Sequence, residues 1–419
     1  METHLADWLK GTADGAEAES ILRKCVHCGF CLATCPTYQL LGSELDSPRG
    51  RIYLIKQVAE GVEPGPSTLA HLDRCLTCRN CETTCPSGVE YGHLVDVGRK
   101  LVEERVRRPA GEHLLRFALR EALTRRWLFD PAMRIGQMLR PLLPAVLRDK
   151  VPARRPAGAW PRAAHARKVL ILNGCTQPAM MPAIDAATAR VLDRLGIETV
   201  LERRSGCCGA IRHHLADTEG ALAQARRNID AWLPHLERGA EAIVINASGC
   251  GAMVKEYAHL LREDPAYAAK ARRVVAATKD LAEWLPEQLA GSIDAIRARV
   301  DARRSARAGA AERVVFHPPC TLQHGQRIRG EVERLLDALG VERLVAAESH
   351  LCCGSAGTYS VLQPALSLQL RERKLGHLQA GRPELILSAN IGCLAHLEAG
   401  TGTPVRHWIE WLDAAMAER

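Results

Sequence analysis

Residues 25–36 read CVHCGFCLATCP, and residues 75–86 read CLTCRNCETTCP. The two segments carry cysteine at the same four positions, and a proline follows the last cysteine of each. A repeat in exact register is typical of a duplicated structural unit. Between the copies, Ser47 and Pro48 favour a helix start and Gly61 favours its end. Together with a second helix predicted from about 89 to 106, this pattern predicts a compact helical module over residues 1–105.

The spacing of the cysteines predicts their ligand. C-x-x-C-x-x-C-x-x-x-C-P is the run that holds [4Fe–4S] clusters in bacterial two-cluster proteins, and its fourth cysteine binds the other cluster. A zinc site needs four thiolates and would not explain eight in this arrangement. We therefore predict two clusters, the first bound by Cys25, Cys28, Cys31 and Cys85, and the second by Cys75, Cys78, Cys81 and Cys35.

The other eight cysteines form a second duplication, in which the first quartet of metal-ligand candidates is Cys175, Cys207, Cys208 and Cys250, and the second is Cys320, Cys352, Cys353 and Cys393. Each quartet accompanies a strand, helix, strand, helix, strand pattern, with strands predicted at 169–172, 197–201 and 242–246, and again at 313–316, 341–346 and 384–388. Short apolar runs joined by helices predict open parallel α/β units. Because ligands bind at the carboxyl ends of parallel strands, each quartet is predicted to gather there. Further clusters, zinc and no permanent occupant all remain open.

Composition narrows the class of protein. The chain has 419 residues, 16 cysteines and a formal net charge of +8. It lacks an apolar run long enough for a membrane span and a basic, apolar start typical of a secretory signal. We therefore expect a cytoplasmic protein, whose reduced thiols serve as metal ligands. With 4% aromatic residues, few side chains could stack on single-stranded bases, and we expect no nucleic-acid partner.

Residues 105–168 differ from the rest, with 16 Lys and Arg against 4 Asp and Glu. One interpretation is a solvated linker with a helical hairpin that packs on the next domain. Another is a docking segment for an acidic partner or anionic lipid. The predicted fold class is therefore α+β multidomain: a helical two-cluster ferredoxin module at 1–105, a basic helical linker at 106–165, and two repeated open α/β units at 166–305 and 306–419.

Several histidines lie beside the second set of cysteines, namely His213, His214, His317, His324 and His350. Each could ligate a metal or relay a proton at the strand ends, or be an ordinary surface or capping side chain. His27, inside the first motif, could tune a cluster or face solvent. No residue is predicted to be catalytic.

Four segments carry a family resemblance: FHPPCTLQHGQ (Phe316 to Gln326), SHLCCGSAGTYS (Ser349 to Ser360), SANIGCLAHL (Ser388 to Leu397) and VRHWIE (Val405 to Glu410). The paired segments around Ser205–Gly209 and Leu351–Gly354 resemble the cysteine-rich CCG domain. The four segments quoted, together with the two-cluster module, resemble the glycolate oxidase iron–sulfur subunits. In CCG domains of the heterodisulfide reductase type, a cysteine stands three positions before the last one of each quartet. Here those positions are Ala247 and Asn390, which argues against a noncubane cluster and against disulfide reduction.

The resemblance implies an electron-transfer subunit that is not catalytic alone. No G-x-G-x-x-G or P-loop is present, so no flavin or NAD site is expected in this chain. The implied partners are a flavin-bearing subunit that oxidises glycolate to glyoxylate and a second flavoprotein-like subunit. An acceptor other than oxygen, with quinone as a candidate, and peripheral contact with the inner face of the cytoplasmic membrane are further expectations. The alternatives are a lactate or glycerol-3-phosphate dehydrogenase subunit, or a non-redox iron–sulfur protein that binds nucleic acid.

Overall fold

The computed structural model describes residues 1–306 and 311–417. The chain divides into two compact units. Unit 1 contains Met1–Leu119, His214–Ala216 and His350–Arg371, and unit 2 contains the described residues of Arg120–His213, Asp217–Ser349 and Glu372–Arg419. Residues 307–310 and 418–419, which fall in the predicted segment 306–419, lie outside the described residues. The four domain boundaries expected from the sequence stay predictions.

The helices are, in chain order, α1 (Ala13–Lys24), α2 (Phe30–Ala33), α3 (Pro36–Leu41), α4 (Pro48–Ala59), α5 (Pro66–Asp73), α6 (Asn80–Thr84), α7 (Tyr91–Glu103), α8 (Ala110–Thr124), α9 (Arg126–Met138), α10 (Ala145–Arg148), α11 (Gln177–Met180), α12 (Ala183–Arg194), α13 (Ala210–His214), α14 (Thr218–Glu237), α15 (Ser248–Lys255), α16 (Tyr257–Leu260), α17 (Ala268–Ala277), α18 (Leu281–Leu289), α19 (Ile293–Ala306), α20 (Glu331–Ala338), α21 (Tyr359–Leu362), α22 (Pro364–Gln379), α23 (Ile391–Glu398) and α24 (Trp408–Met416). The strands are β1 (Arg167–Ile171), β2 (Ile197–Leu201), β3 (Ile243–Ile245), β4 (Thr278–Asp280), β5 (Arg313–His317), β6 (Glu342–Leu344), β7 (Leu385–Ser388) and β8 (Val405–His407).

Unit 1 is helical, as the first sequence repeat predicts. The Ser47 hydroxyl accepts a hydrogen bond from the backbone N–H of Gly50 at 2.9 Å, and Pro48 begins α4 without losing an intrahelical bond. The helix ends just before Gly61, whose φ is +98°. The unit has one apolar core drawn from α1, α4, α5 and α7, including Leu22, Ile55, Leu72 and Leu94, each fully buried. This core fixes the helices that carry the cysteine loops.

Unit 2 contains two four-stranded sheets, with strand orders β2-β1-β3-β4 and β6-β5-β7-β8. Every pair of neighbouring strands is parallel. The six strands expected from the sequence are present, but the sequence analysis missed β4 and β8. Both are three-residue edge strands, Thr-Lys-Asp and Val-Arg-His, so neither carries the apolar run that indicates a buried strand.

The register of the first sheet places the ends of three strands at one edge. Ile171 is paired with Leu201 of β2 and with Val244 of β3. The central strand is buried, with Val169 and Leu170 at 0% exposure, because helices cover both faces of such a sheet. The loops that leave this edge carry the first cysteine quartet.

Asp280 at the end of β4 predicts a pH effect on stability. Its carboxylate accepts hydrogen bonds from the N–H of Ala282 at 2.9 Å and from Nε2 of Gln326 at 2.7 Å. Burial raises its pKa to about 6, although these bonds and Lys255 oppose the shift. Because the folded state holds this proton more tightly than the unfolded state, the contribution of Asp280 to stability is lost as pH rises from about 4 to about 6.

We therefore expect Asp280→Asn, which keeps the capping oxygen, to be more stable than the parent chain at pH 8 by about 1–3 kcal/mol. The advantage should vanish near pH 4. Urea unfolding at several pH values measures this difference. Glu237→Gln is a suitable control because Glu237 is exposed at the end of α14. A difference between parent and Asp280→Asn that does not change with pH would contradict the prediction.

None of the helices in the described ranges has the length and apolar character needed to cross a bilayer.

Candidate metal-binding sites

The two sequence motifs fold into matching loops of unit 1. Cys25 ends α1, and Cys75 follows α5. The next residues reach the left-handed region at His27 and Gly29 in the first copy, and at Thr77 and Arg79 in the second. Three of these four residues are not glycine, so the loops hold a backbone conformation that side chains disfavour. Such turns bring cysteines three residues apart to one side of the loop.

The cysteines of unit 1 surround two cavities, and each cavity takes its thiols from both motifs. One is lined by Cys25, Cys28, Cys31 and Cys85, with Cys81 also in its wall. The other is lined by Cys35, Cys75, Cys78 and Cys81. The structure thus brings together the members of each predicted quartet in the crossed arrangement. A proline follows the fourth cysteine of each motif. In the first copy, Pro36 is the first residue of α3, so the chain changes direction directly after Cys35.

Burial controls the charge of these thiols. It raises the pKa of Cys31 to about 11, and the neighbouring Cys25 adds to the shift. Burial likewise raises the pKa of Cys25 and raises that of Cys81 well above its usual value. A thiolate here is stable only beside positive charge, which iron ions supply. The donor set and the buried cavities therefore fit an iron–sulfur cluster.

Hydrogen bonds to sulfur and a buried ion pair surround the second cavity. The Tyr91 hydroxyl donates to Sγ of Cys75 at 3.6 Å, and the Thr77 N–H donates to the same sulfur at 3.4 Å. Arg51 lines the cavity and pairs with Asp46 at 3.5 Å, both side chains being 1% exposed. Sequence reasoning missed this pair, whose only signal is an arginine among the apolar positions of α4.

The first quartet of the second duplication lies wholly in unit 2, past the carboxyl ends of β1, β2 and β3. Its thiols form a hydrogen-bonded chain in the order Cys175, Cys207, Cys208 and Cys250. The bond with Cys175 lowers the pKa of Cys207, but its bond to Cys208 and burial outweigh that effect and raise the pKa to about 12. Four thiols linked in succession fit a soft metal or a cluster. The predicted gathering at the strand ends is present here.

Side chains from two helices hold the Cys207–Cys208 pair. Asn228 of α14 is fully buried; it accepts from the Gly206 N–H at 2.9 Å and donates to the Cys207 carbonyl at 3.0 Å. The hydroxyl of Tyr257 donates to the Cys208 carbonyl at 2.7 Å. Sequence reasoning missed both residues, because a single buried Asn or Tyr has no motif.

Replacement of Asn228 by alanine is expected to loosen this pair. The Gly206 N–H and the Cys207 carbonyl would lose their partners, which costs about 1–3 kcal/mol for each buried group. We expect a lower melting temperature and faster labelling of Cys207 and Cys208 by a thiol reagent in metal-free protein. Tyr257→Phe, which removes one hydroxyl, should show a smaller effect. Unchanged labelling rates in both variants would mean that other contacts hold the pair.

The second quartet is divided between the units: Cys320 and Cys393 lie in unit 2, and Cys352 and Cys353 in unit 1. Cys320 precedes a π-helical turn over Thr321–Gly325, and the N–H of Gly354 donates to Sγ of Cys352 at 3.4 Å. Asn390, one of the two positions at which the sequence departs from the heterodisulfide reductase type, donates to Sγ of Cys393 at 3.6 Å. It also accepts from the N–H of Gly249 at 3.2 Å.

Among the histidines singled out in the sequence, His317 meets the requirements of a ligand best. It is 1% exposed, neither ring nitrogen has a hydrogen-bond partner among the described residues, and a ring nitrogen lies within 4.8 Å of Sγ of Cys393. Burial lowers its pKa well below the usual value, with a further contribution from Lys374. The ring is therefore neutral. By contrast, His324 contacts Arg329 at 3.4 Å.

Part of the positive charge of residues 105–168 is used inside the units. In unit 1, Arg108 pairs with Asp73 and Glu103 at 2.6 and 2.7 Å, and Arg116 pairs with Asp73 at 2.8 Å. Helix α8 covers Ala110–Thr124 of this segment. In unit 2, α9 and the residues after it leave large apolar side chains exposed, among them Ile135, Met138 and Leu142. Both interpretations offered for this segment thus retain support.

Comparison with known protein families agrees with this organisation. Residues 21–89 match a family described as 4Fe-4S dicluster domain. Residues 169–255 and 314–398 each match a family described as cysteine-rich domain, CCG. The matched segments contain all sixteen cysteines and show iron–sulfur binding at the level of the domain.

Full-length relatives are also found. The chain is 52% identical to the glycolate oxidase iron-sulfur subunit of Escherichia coli, over 99% of both chains. It is 31% identical to a probable glycolate oxidase iron-sulfur subunit of Bacillus subtilis, over 91% of this chain and 89% of the relative. Lactate utilization protein A of Geobacillus kaustophilus is 27% identical and matches 59% of this chain.

Proposed function

The chain belongs to the family of glycolate oxidase iron–sulfur subunits, and on this basis we propose that it carries electrons from a flavin-bearing subunit, which oxidises glycolate to glyoxylate, to an acceptor other than oxygen. Oxidation of glycolate releases two electrons and two protons. The flavin takes the electron pair, and this chain passes the electrons on one at a time. The observation that carries the proposal is the pair of four-thiol cavities inside the segment that matches a dicluster domain.

We assign the two clusters to the quartets that line these cavities. Cys25, Cys28, Cys31 and Cys85 would hold one, and Cys75, Cys78, Cys81 and Cys35 the other. Such a cluster supplies one-electron oxidation and reduction at a potential set by charge, hydrogen bonds to sulfur and exposure. Around the second quartet, Tyr91 and Thr77 provide the hydrogen bonds and Arg51 the charge. Around the first, Cys28 is exposed, which gives that site an opening to solvent for electron exchange.

The quartet of Cys175, Cys207, Cys208 and Cys250 is proposed as a further metal or cluster site. In the sequence, Cys320, Cys352, Cys353 and Cys393 are the matching quartet of the second repeat. Iron and acid-labile sulfide, measured per chain on protein purified without oxygen, distinguish the cases. About eight irons would confine clusters to the ferredoxin-like module, and more would show that these quartets bind iron.

The proposed partners are the flavin-bearing subunit and a second flavoprotein-like subunit. Quinone or the membrane surface is the proposed further contact, by way of residues 135–148 of unit 2, where exposed apolar residues lie among arginines. Flotation with anionic vesicles tests this contact. We expect Met138→Ser with Leu142→Ser to reduce flotation, with Val345→Ser as the control at an exposed apolar residue elsewhere in unit 2.

The decisive experiment isolates the complex formed with the flavin-bearing subunit and adds glycolate without oxygen. We expect a reduced-cluster spin-resonance signal with glycolate and a much weaker one with lactate or glycerol 3-phosphate. Faster reduction of the clusters by lactate would indicate instead that the chain serves a lactate dehydrogenase, in line with the similarity of part of the chain to lactate utilization protein A. Clusters that dithionite reduces but no hydroxy acid does, in a complex with bound flavin, would refute the electron-transfer role.

A further inference from the structure

An open cavity of about 820 Å³ lies in unit 2, between the start of α9, the loop after β2 and the first half of α14. Eighteen residues line it; seven are arginines, and Asp130 is the one acidic residue among them. Cys207 of the first α/β quartet also belongs to the lining. The electron-transfer proposal does not use this cavity, and the volume falls in the range of small-molecule sites.

Several of the arginines already have acidic partners. Arg126 pairs with Asp130 at 3.0 Å, and Arg212 pairs with Glu121 at 2.9 Å. Arg134, Arg203 and Arg227 are exposed; within the described parts of the chain, these three have no carboxylate partner. Like charges gathered in a concave site repel one another, so the arrangement favours an anion that balances them.

The type of basic residue indicates the type of anion. All of the basic residues in the lining are arginines, and the planar guanidinium donates two parallel hydrogen bonds to phosphate oxygens. Room for the guanidinium of Arg227 depends on Gly206, because a Cβ at that position would lie 2.6 Å from Nη2 of Arg227. The glycine just before Cys207 thus allows the arginine to reach the cavity.

An exposed aromatic ring adds a second, independent feature. Trp127 belongs to the lining and is 72% exposed. An exposed indole offers an apolar, planar face that another planar group can cover. Stacking on a planar ring would satisfy this face. An acidic protein segment would need the charge but neither the concavity nor the indole, so the combination favours a small molecule with both phosphate and a planar base.

We propose that this cavity binds a nucleotide, with its phosphates on Arg134, Arg203 and Arg227 and its base on Trp127. The site needs no glycine-rich phosphate loop, which explains why the sequence motifs did not indicate it. It places the nucleotide beside Cys207, an inner member of the thiol chain. The proposal is independent of the substrate of the partner subunit.

Isothermal titration of the full-length protein with ADP and with pyrophosphate tests the two halves of the site separately. Arg134→Gln with Arg227→Gln should weaken binding of both probes by at least about tenfold, since two charge-assisted phosphate contacts are lost. Trp127→Leu should weaken ADP by about fivefold or more and leave pyrophosphate unchanged. The matched controls are Arg238→Gln with Arg272→Gln, which remove the same charge from exposed positions outside the lining, and Trp160→Leu.

The outcomes separate the alternatives. If the control arginine variants weaken ADP and pyrophosphate binding as much as the lining variants do, the anions respond only to the overall charge of the protein. That result would overturn the proposal. Tighter binding of a polyglutamate peptide than of ADP would assign the cavity to an acidic protein segment instead. An unchanged ADP affinity in Trp127→Leu would exclude the nucleotide and leave a site for phosphate alone. Melting curves verify that each variant is folded, which is expected because the substituted side chains are exposed.

Discussion

Alanine at Cys25 and Cys85 together is expected to remove about four irons per chain, whereas alanine at Cys25 and Cys35 together is expected to remove about eight. In the first variant both lost thiols line one cavity. In the second variant one thiol comes from each cavity. If each motif instead held its own cluster, the two results would be exchanged, because Cys25 and Cys35 belong to the same motif.

Iron and sulfide analysis of protein purified without oxygen provides the measurement, and low-temperature spin resonance detects any three-iron remnant left by a missing ligand. Circular dichroism shows whether the helices survive. The single variants Cys85→Ala and Cys35→Ala serve as controls, since each should remove one site only. Equal iron loss in the two double variants would contradict both the crossed and the local arrangement.

The cysteine spacing was enough to predict the iron–sulfur module, because ligand geometry restricts the sequence at every third residue. The grouping of its cysteines into two clusters stays a prediction. The residues of these loops that adopt the left-handed conformation were harder to predict from the sequence. Gly29 could have indicated such a turn, but its counterpart in the second copy is Arg79, and nothing local marks an arginine for that conformation. Contacts with residues distant in the sequence impose this conformation, and a local sequence pattern does not indicate such contacts.

Six strands were predictable because each lies within a mostly apolar run of the sequence, although β3 and β6 span only three residues in the structure. The edge strands β4 and β8 were not, since three polar or mixed residues look like a loop until a neighbouring strand pairs with them. The site shows the same limit. Asn228 and Tyr257 act on Cys207 and Cys208 from positions more than twenty residues away, and the arginines of the cavity come from three separate segments. Only the fold brings them together.

Exchange of Arg51 for methionine is expected to produce the largest loss of stability in unit 1. The guanidinium donates to the His71 carbonyl at 2.7 Å and to the Thr37 hydroxyl at 3.1 Å, and it pairs with the buried Asp46. Removal of one member of a buried pair leaves the other charge uncompensated, which costs about 3–5 kcal/mol. His71 and Arg74 also contact Asp46, at 3.0 and 3.1 Å, so the loss should fall toward the lower end of that range.

The same substitution should lower the midpoint potential of the cluster that we assign to Cys35, Cys75, Cys78 and Cys81. Burial lowers the pKa of Arg51, but the ionisable Tyr91 and Cys75 close to it outweigh burial and raise the pKa, so the side chain is a fixed cation. A cation beside a cluster favours the reduced form, which carries one more negative charge. Without it, reduction becomes harder.

A redox titration followed by spin resonance measures this shift, and the cluster assigned to Cys25, Cys28, Cys31 and Cys85 is the internal reference because Arg51 does not line its cavity. Arg51→Lys keeps the positive charge but loses the planar guanidinium group. The midpoint potential should therefore stay close to that of the parent, while the stability of the fold decreases. Asp46→Asn with Arg51→Met should recover stability, because it removes the unpaired carboxylate. Its midpoint potential should lie between those of Arg51→Met and the parent, because a nearby negative charge is lost together with the cation. A potential that falls together with stability in Arg51→Lys, which keeps the positive charge, would mean that Arg51 acts through folding alone, and the electrostatic role would be wrong.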